Sequence, residues 1–396
     1  MAGNSNLSKA GKNKNDEFYT RLTDIEKELR NYREHFKDKT ILCNCDDPFE
    51  SNFFKYFVLN FNRLGIKKLI ATSYENSPVA YKQLSLFDII GGDEKNKNTP
   101  YKAVVTKVYD VDGKDGINML DVKQLFKIGE NKLTKLKGDG DFRSEECLGL
   151  LKEADIVVTN PPFSLFREYI AILMEYDKKF VIWGNTNAIT YKEFFPLIKG
   201  GKVWGGLHFN KTCVFQIPDS YEKYDEKLTN EIGDGYKYCQ VPSIATFTNL
   251  DIKKRHEDMI LIRRYNSEDY PKYDNYDAIE VSKVKDIPYD YEGVMGVPIT
   301  FLDKYNPDQF EIVGISQTWA NKFEFGKSKI YIEGKQHKQN GEVTNGSKVN
   351  DGPVIAYLTK PNSGVYYTAK NSVKYLVKNY VRLFIKNKYP EPRKEK

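Results

Sequence analysis

Asn160-Pro161-Pro162-Phe163 is the group in this chain whose residue types and order can do chemistry. It follows the apolar run Ile156-Val157-Val158 and precedes an amphipathic stretch, so it stands where a strand hands over to a helix. Two successive prolines fix the backbone leaving the strand and remove two N–H donors, which leaves their carbonyls free to accept. An exocyclic amine can place one hydrogen on the Asn160 side-chain oxygen and the other on the Pro161 carbonyl. The nitrogen lone pair then faces an incoming methyl group, and Phe163 can stack on the ring that carries the amine. This chemistry is methyl transfer to an amino nitrogen. A strand followed by a Pro-rich turn is the plainer reading, and four residues alone do not choose between the two.

The surrounding elements must place the quartet at a ligand site. Apolar runs at Thr40 to Cys43, Lys68 to Thr72, Asp155 to Thr159 and Lys179 to Trp183 read as short buried strands, with helical segments between several of them. Leu22, Ile25, Leu29, Tyr32 and Phe36 fall at helical spacing behind Thr23-x-x-Glu26, a capping-box pattern. Leu165, Phe166, Tyr169, Ile170, Leu173 and Met174 give the helix after the quartet one apolar face. The alternation predicts an α/β fold with a doubly wound, mainly parallel sheet, whose ligands bind at the carboxyl ends of the strands. Three acidic positions follow or precede these strands: Asp46-Asp47-Pro48-Phe49, Glu75, and Asp141-Phe142 in a Gly-rich turn. A nucleoside-containing cofactor needs such groups, a carboxylate for its ribose, an acceptor for its adenine amine and an aromatic face. Asp16 to Thr20 is placed to close that pocket from above.

Bulk properties narrow the class. A chain of 396 residues with 40% hydrophobic content suggests two or three globular domains. Its first seventeen residues are polar, and no segment approaches the roughly 18 apolar residues that cross a bilayer; a cytoplasmic protein without membrane contact is expected. The five cysteines are scattered without C-x-x-C pairs, so they read as small buried thiols, with Cys43 and Cys45 on one face of a strand, where a metal or disulfide role is the alternative. The four histidines are isolated, and no metal site is expected. From Asn321 onward sixteen Lys or Arg stand against six Asp or Glu, a balance of +10 that leaves −4 for the preceding 320 residues. Interleaved with tyrosines, this suits a phosphate backbone, although a solvated lysine-rich tail fits the charge equally.

Residues 76–137 interrupt the alternation with lysine-rich sequence and a hairpin-like Val104 to Asn118, and read as an insertion on a catalytic domain spanning 1–265. Asp110-x-Asp112-Gly113 starts like a calcium loop but lacks its later ligands, so a tight turn is expected. Tyr-, Asp- and Pro-rich sequence after residue 265 marks a second region, 266–396.

At this level of detail the chain resembles the EcoRI-type adenine-N6 DNA methyltransferases. The resemblance rests on D-E-F-Y-T at Asp16 to Thr20, Y-R-E-H-F at Tyr32 to Phe36 and C-N-C-D-D-P at Cys43 to Pro48. It continues through S-N-F-F-K-Y-F at Ser51 to Phe57, G-D-G-D-F-R-S at Gly138 to Ser144, D-I-V-V-T-N-P-P-F-S-L-F-R-E-Y at Asp155 to Tyr169, and G-V-M-G-V-P-I-T-F-L at Gly293 to Leu302. It implies a Rossmann-like sheet that uses S-adenosyl-L-methionine, and a smaller C-terminal target-recognition region. The partner it implies is double-stranded DNA whose adenine is flipped out of the stack, with no obligate protein partner. Carried over, Phe18, Tyr19 and Thr20 meet the methionine end of the cofactor, and Asp47, Pro48 and Phe49 form the first cofactor motif. Glu75 binds the ribose, Asp141 and Phe142 hold and cover the cofactor adenine, and Asn160, Pro161, Pro162 and Phe163 meet the target base. Glu50-Ser51-Asn52 stands where most methyltransferases have a Gly-x-Gly turn, a departure this branch shares. About 40 residues, 336–378, are additional to the resembling family and rich in turn signals. An RNA or protein-amide methyltransferase with the same quartet is the alternative. A nuclease reading has only Pro307-Asp308 and Glu333-Gly334-Lys335 behind it.

Overall fold

The computed structural model describes residues 19–45, 51–73, 100–111, 113, 117, 119–127, 130–217, 223–322 and 325–391. The chain forms two compact units, Met1–Asn187 with Val203–Leu250, and Ala188–Lys202 with Asp251–Lys396. Both mix helices with sheets, an α/β protein.

The strands of the first unit are β1 (Tyr19–Thr20), β2 (Thr40–Cys43), β3 (Lys68–Thr72), β4 (Tyr101–Val105), β5 (Lys132–Lys135), β6 (Ile156–Thr159), β7 (Lys179–Asn185), β8 (Trp204–Gly205), β9 (Lys211–Ile217) and β10 (Lys237–Thr248). Among the described residues they make one sheet in the order β1-β9-β10-β7-β6-β2-β3-β4-β5, with β8 also on β10. Its centre, β7-β6-β2-β3, is parallel. β2 and β6 are buried at every position, which is why their sequences are unbroken apolar runs rather than alternating ones. Helices α1 (Leu22–Leu29), α2 (Asn52–Leu59), α3 (Glu145–Glu153) and α4 (Phe166–Glu175) accompany the sheet. Phe166, Tyr169, Ile170 and Leu173 of α4 are buried, the stripe that the i, i+3, i+4, i+7 spacing demands.

Four expectations are corrected. Thr23 is not a cap: α1 begins at Leu22 behind Arg21, which makes no side-chain capping bond, and a 3-10 turn at Arg30–Tyr32 separates it from Arg33–Phe36. The apolar stripe survives that break, because Ile25, Leu29, Tyr32 and Phe36 are all fully buried. Cys45 does not share a strand face with Cys43, since β2 ends at Cys43 and Cys45 turns away with φ +63°. Val104 pairs with Lys132, not within 104–118, so the described part of the 76–137 insertion extends the main sheet through β4 and β5. The last parallel strand runs past Trp183 to Asn185.

The second unit holds two sheets among its described residues. One orders β11 (Ile279–Glu280), β12 (Met295–Pro298), β19 (Arg382–Asn387) and β13 (Phe310–Ile315). The other orders β15 (Val343–Asn345), β14 (Lys335–His337), β17 (Tyr366–Ala369), β18 (Ser372–Lys378) and β16 (Val354–Tyr357). The segment before β11 ties them together. Asn275 donates to the Gly352 carbonyl at 3.0 Å and accepts from the Val354 N–H at 2.8 Å, and Ile355 joins Tyr273, Tyr276 and Phe384 in one apolar cluster. A buried ion pair, Arg382 to Glu280 at 2.7 Å, has Tyr273 donating to the same carboxylate, so the buried charges of that interior are paired and hydrogen-bonded.

Candidate active site

The quartet lies at the carboxyl end of β6, between β2 and β7. Asn44, the residue after β2, anchors this corner. Its carbonyl accepts the Thr159 hydroxyl and its Oδ1 accepts the Tyr169 hydroxyl of α4, both bonds buried. Strand ends β2 and β6 are thereby locked to the helix that follows the quartet. Asn160 is half-buried with its Oδ1 inside, and Pro161 is buried. The expectation that both proline carbonyls are free is corrected at Pro162, whose carbonyl accepts the Leu165 N–H at 3.0 Å and closes a 3-10 turn over Phe163–Leu165. Phe163 meets Phe215 edge-on at 6.4 Å.

Phe215 carries the connection onward. It lies on β9 opposite Thr20 of β1, and the Thr20 carbonyl accepts from Asn52 Nδ2 at 2.8 Å. Asn52 opens α2, whose cap is Ser51 accepting the Phe53 N–H at 3.1 Å. Phe53 in turn lies edge-on to Trp183 of β7 at 4.9 Å. The chain on either side of the first cofactor motif is thus tied to β1, β2 and β7. Phe18, Asp47, Pro48, Phe49 and Glu75 themselves lie outside the described residues.

Asp141 and Phe142 reach the site through a glycine. Gly140 has φ +80°, and a Cβ there would collide with the carbonyl oxygen of Ser73, the residue after β3. This contact sets the turn against the end of β3. Arg143 grips the Asp141 carboxylate with Nε at 2.9 Å and Nη2 at 2.7 Å, and reaches Glu168 of α4 at 2.6 Å. The Arg143 hydrogen bond holds the Asp141 carboxyl below the usual carboxylate range. Phe142 is buried edge-on to Tyr169 at 5.0 Å, with Arg143 over its ring. Ser144 then caps α3.

Three buried polar atoms at this end of the unit find no partner among the described residues: Thr20 Oγ1, Thr72 Oγ1 at the end of β3, and Asn185 Nδ2 at the end of β7. The Asn185 oxygen already accepts the Asn187 N–H at 2.9 Å, so its amide nitrogen is the group left over. A buried donor or acceptor left unmade costs about 1–3 kcal/mol, so each of the three is a group that a polar ligand at the strand ends can satisfy. The residues present therefore fit a nucleoside-bearing cofactor and a base. Sequence reasoning missed Asn44, Gly140 as a contact, Phe215 and Asn185. A polar residue directly after an apolar strand was the available signal for Asn44, and a polar residue closing an apolar run was the signal for Asn185. Phe215 and the Gly140 contact depend on pairing between distant segments, which no local pattern reports.

The family model for the adenine-specific methyltransferase EcoRI matches residues 6–388. The chain belongs to that family. It is 48% identical over 315 residues to the Type II methyltransferase M.EcoRI of Escherichia coli, covering 79% of this chain and 89% of the relative. Identity is 41% to the Type II methyltransferase M.MgeORF184P of Mycoplasma genitalium, over 78% of this chain and 85% of the relative. It is 38% to the Type II methyltransferase M.MpnI of Mycoplasma pneumoniae, over 86% and 93%. No solved structure matches. Membership in this family supports methyl transfer as the chain's chemistry. No helix among the described residues is long and apolar enough to cross a membrane.

Proposed function

We propose that the chain transfers a methyl group from S-adenosyl-L-methionine to N6 of an adenine flipped out of double-stranded DNA, as the modification enzyme of a Type II restriction-modification system. Supporting this is the quartet's position beside Asn44 at the carboxyl end of the central parallel strands, within a member of an adenine-specific family. The first unit then serves as the doubly wound catalytic fold and residues 266–396 as the target-recognition region. The cofactor supplies an electrophilic methyl on its sulfonium. Thr20 with Phe18 and Tyr19, Asp47 with Pro48 and Phe49, and Glu75 would hold it, and Asp141 retains a lone pair for its adenine amine despite Arg143.

The N6 amine of adenine is conjugated and weakly nucleophilic. Asn160 Oδ1 and the Pro161 carbonyl accept its two hydrogens and favour a pyramidal nitrogen whose lone pair points along the transfer axis. Phe163, braced by Phe215, stacks on the extruded base. Acceleration comes from alignment and from acceptors fixed in place before the reaction. Asn160 is a neutral amide and a poor base, so the proton leaves to solvent after transfer. Asn160→Ala should abolish incorporation of labelled methyl into plasmid DNA while cofactor affinity by calorimetry stays within about twofold, since Asn160 meets the base and not the nucleoside. Near-normal incorporation by the variant would refute the assignment.

A further inference from the structure

The five-stranded sheet β15-β14-β17-β18-β16 buries one face and, apart from Ile355 of β16, which packs into the Tyr273–Phe384 cluster, opens the other. Strand alternation assigns the faces: Val354, Tyr367, Ala369 and Leu376 form a core with Tyr331 and Val349, so their neighbours point outward. Outward positions pair across β15-β14-β17 and across β18-β16, and the register shifts between β17 and β18. Val343 pairs with His337, His337 with Tyr366, and Tyr375 with Tyr357. His337 stacks on Tyr366 at 4.6 Å with planes 2° apart, and Tyr366 meets Tyr375 edge-on at 5.6 Å, which joins the two halves into one stripe. Lys360 lies over the Tyr366 ring at 5.6 Å, and Lys335 is exposed beside the stripe. Val373, on the same face as Tyr375, is fully exposed.

Residues 331–380 hold seven lysines against three acidic residues, a net of +4. Two of those acids are already bound to lysines, Glu342 to Lys338 at 3.0 Å and Glu333 to Lys370 at 2.8 Å. Lys335 and Lys360 are in neither pair. His337 on one side and Lys360 over the ring occupy Tyr366, and no described residue hydrogen-bonds the hydroxyls of Tyr357, Tyr366 or Tyr375. Hydroxyls and ammonium groups on a flat face are donors for phosphate oxygens. Four strand spacings of about 4.8 Å make the sheet roughly 19 Å wide, too broad for a major groove of about 12 Å.

We infer that this open face lies along the sugar-phosphate backbone of duplex DNA, with Lys335, Lys360 and the tyrosine stripe contacting phosphates. The inference rests on the DNA reading of the chain and adds a surface that sets affinity without reading bases. Damage to such a surface weakens binding to all sequences alike, and removing one phosphate-neutralising cation lowers the salt slope by about 0.9.

The test is fluorescence anisotropy of two labelled duplexes, one carrying the methylated motif and one scrambled. Each is titrated at several salt concentrations with the full chain and with the Lys335→Gln/Lys360→Gln variant. Both duplexes should bind the variant at least tenfold more weakly, their affinity ratio should hold, and the slope of log affinity on log salt should fall by about 1.8. Tyr357→Phe/Tyr375→Phe, which keeps the rings and removes hydroxyls, should weaken both duplexes in the same direction. Unchanged affinity and slope overturn the inference, as does weakening of the motif duplex alone, which would make the face a base reader. Unchanged DNA binding with altered sedimentation overturns it in favour of a second copy of this chain. If the intact chain methylates DNA and the variants bind normally, this inference alone falls; an intact chain that methylates no DNA removes the parent reading as well.

Discussion

Asp141 and its neighbour Gly140 illustrate how two adjacent residues can serve one site through different physics. Gly140 is required by backbone geometry, with φ +80° and no room for a Cβ against Ser73. In the proposed site Asp141 acts by its charge, and the Arg143 hydrogen bond favours its ionised form. Asp141→Ala should therefore weaken cofactor binding by about 1.5–3 kcal/mol, roughly 10- to 150-fold, with little change in melting temperature. Gly140→Ala should lower both, since left-handed backbone costs a side chain about 1–2 kcal/mol before the collision is counted. Calorimetry and thermal melts on the two variants check this, and an unchanged dissociation constant for Asp141→Ala would move the adenine-binding role elsewhere. In the proposed reaction Asn160 belongs to a third kind, a neutral acceptor whose worth lies in position.

At the scale of elements, two histidines set opposite pH limits. His208, on the turn before β9, sits 2.8 Å from the Cys213 thiol, and burial pushes its pKa down to about 4. Its contribution is complete above the ordinary value near 6.5 and is lost as pH falls through that window toward 4. His256 bridges Asp308 and Asp251, whose hydrogen bonds raise it above 6.5. Its contribution is complete below 6.5 and is lost as pH rises through the raised value. Melting curves from pH 4 to 8.5 should show the acid loss shrink in His208→Gln and the alkaline loss shrink in His256→Gln, and matching profiles in both variants and the parent chain would contradict the sign argument. The same contrast between local and distant partners explains what the sequence made legible. β2, β3 and β6 were readable because parallel strands buried on both faces leave unbroken apolar runs, and the α4 stripe because its period is local. The Thr23 capping signature failed since Arg21 begins the helix without a side-chain bond. β1 against β9, and the five-stranded sheet's register, were not readable: a two-residue strand and short alternating strands acquire identity only from distant partners. At the site, Asn160 to Phe163 and Asp141 stood out by type and spacing, whereas Asn44, Phe215 and Asn185 emerged only once the strand ends were brought together.

For the whole molecule, chemistry and charge fall in different parts of the sequence. The quartet and its supports lie within the first 217 residues, while the +10 balance lies after residue 320. A modification enzyme needs both, a pocket for one base and a broad basic surface for the polymer that carries it. The central claim is that these parts serve N6 methylation of adenine in DNA. Methylation-sensitive long-read sequencing of DNA from cells expressing the intact chain, beside cells expressing Asn160→Ala, tests it most directly. The expected result is N6-methyladenine at one short recurring motif in the first and none above background in the second. Folded intact protein with no modified adenine, or the same marks made by Asn160→Ala, would contradict it.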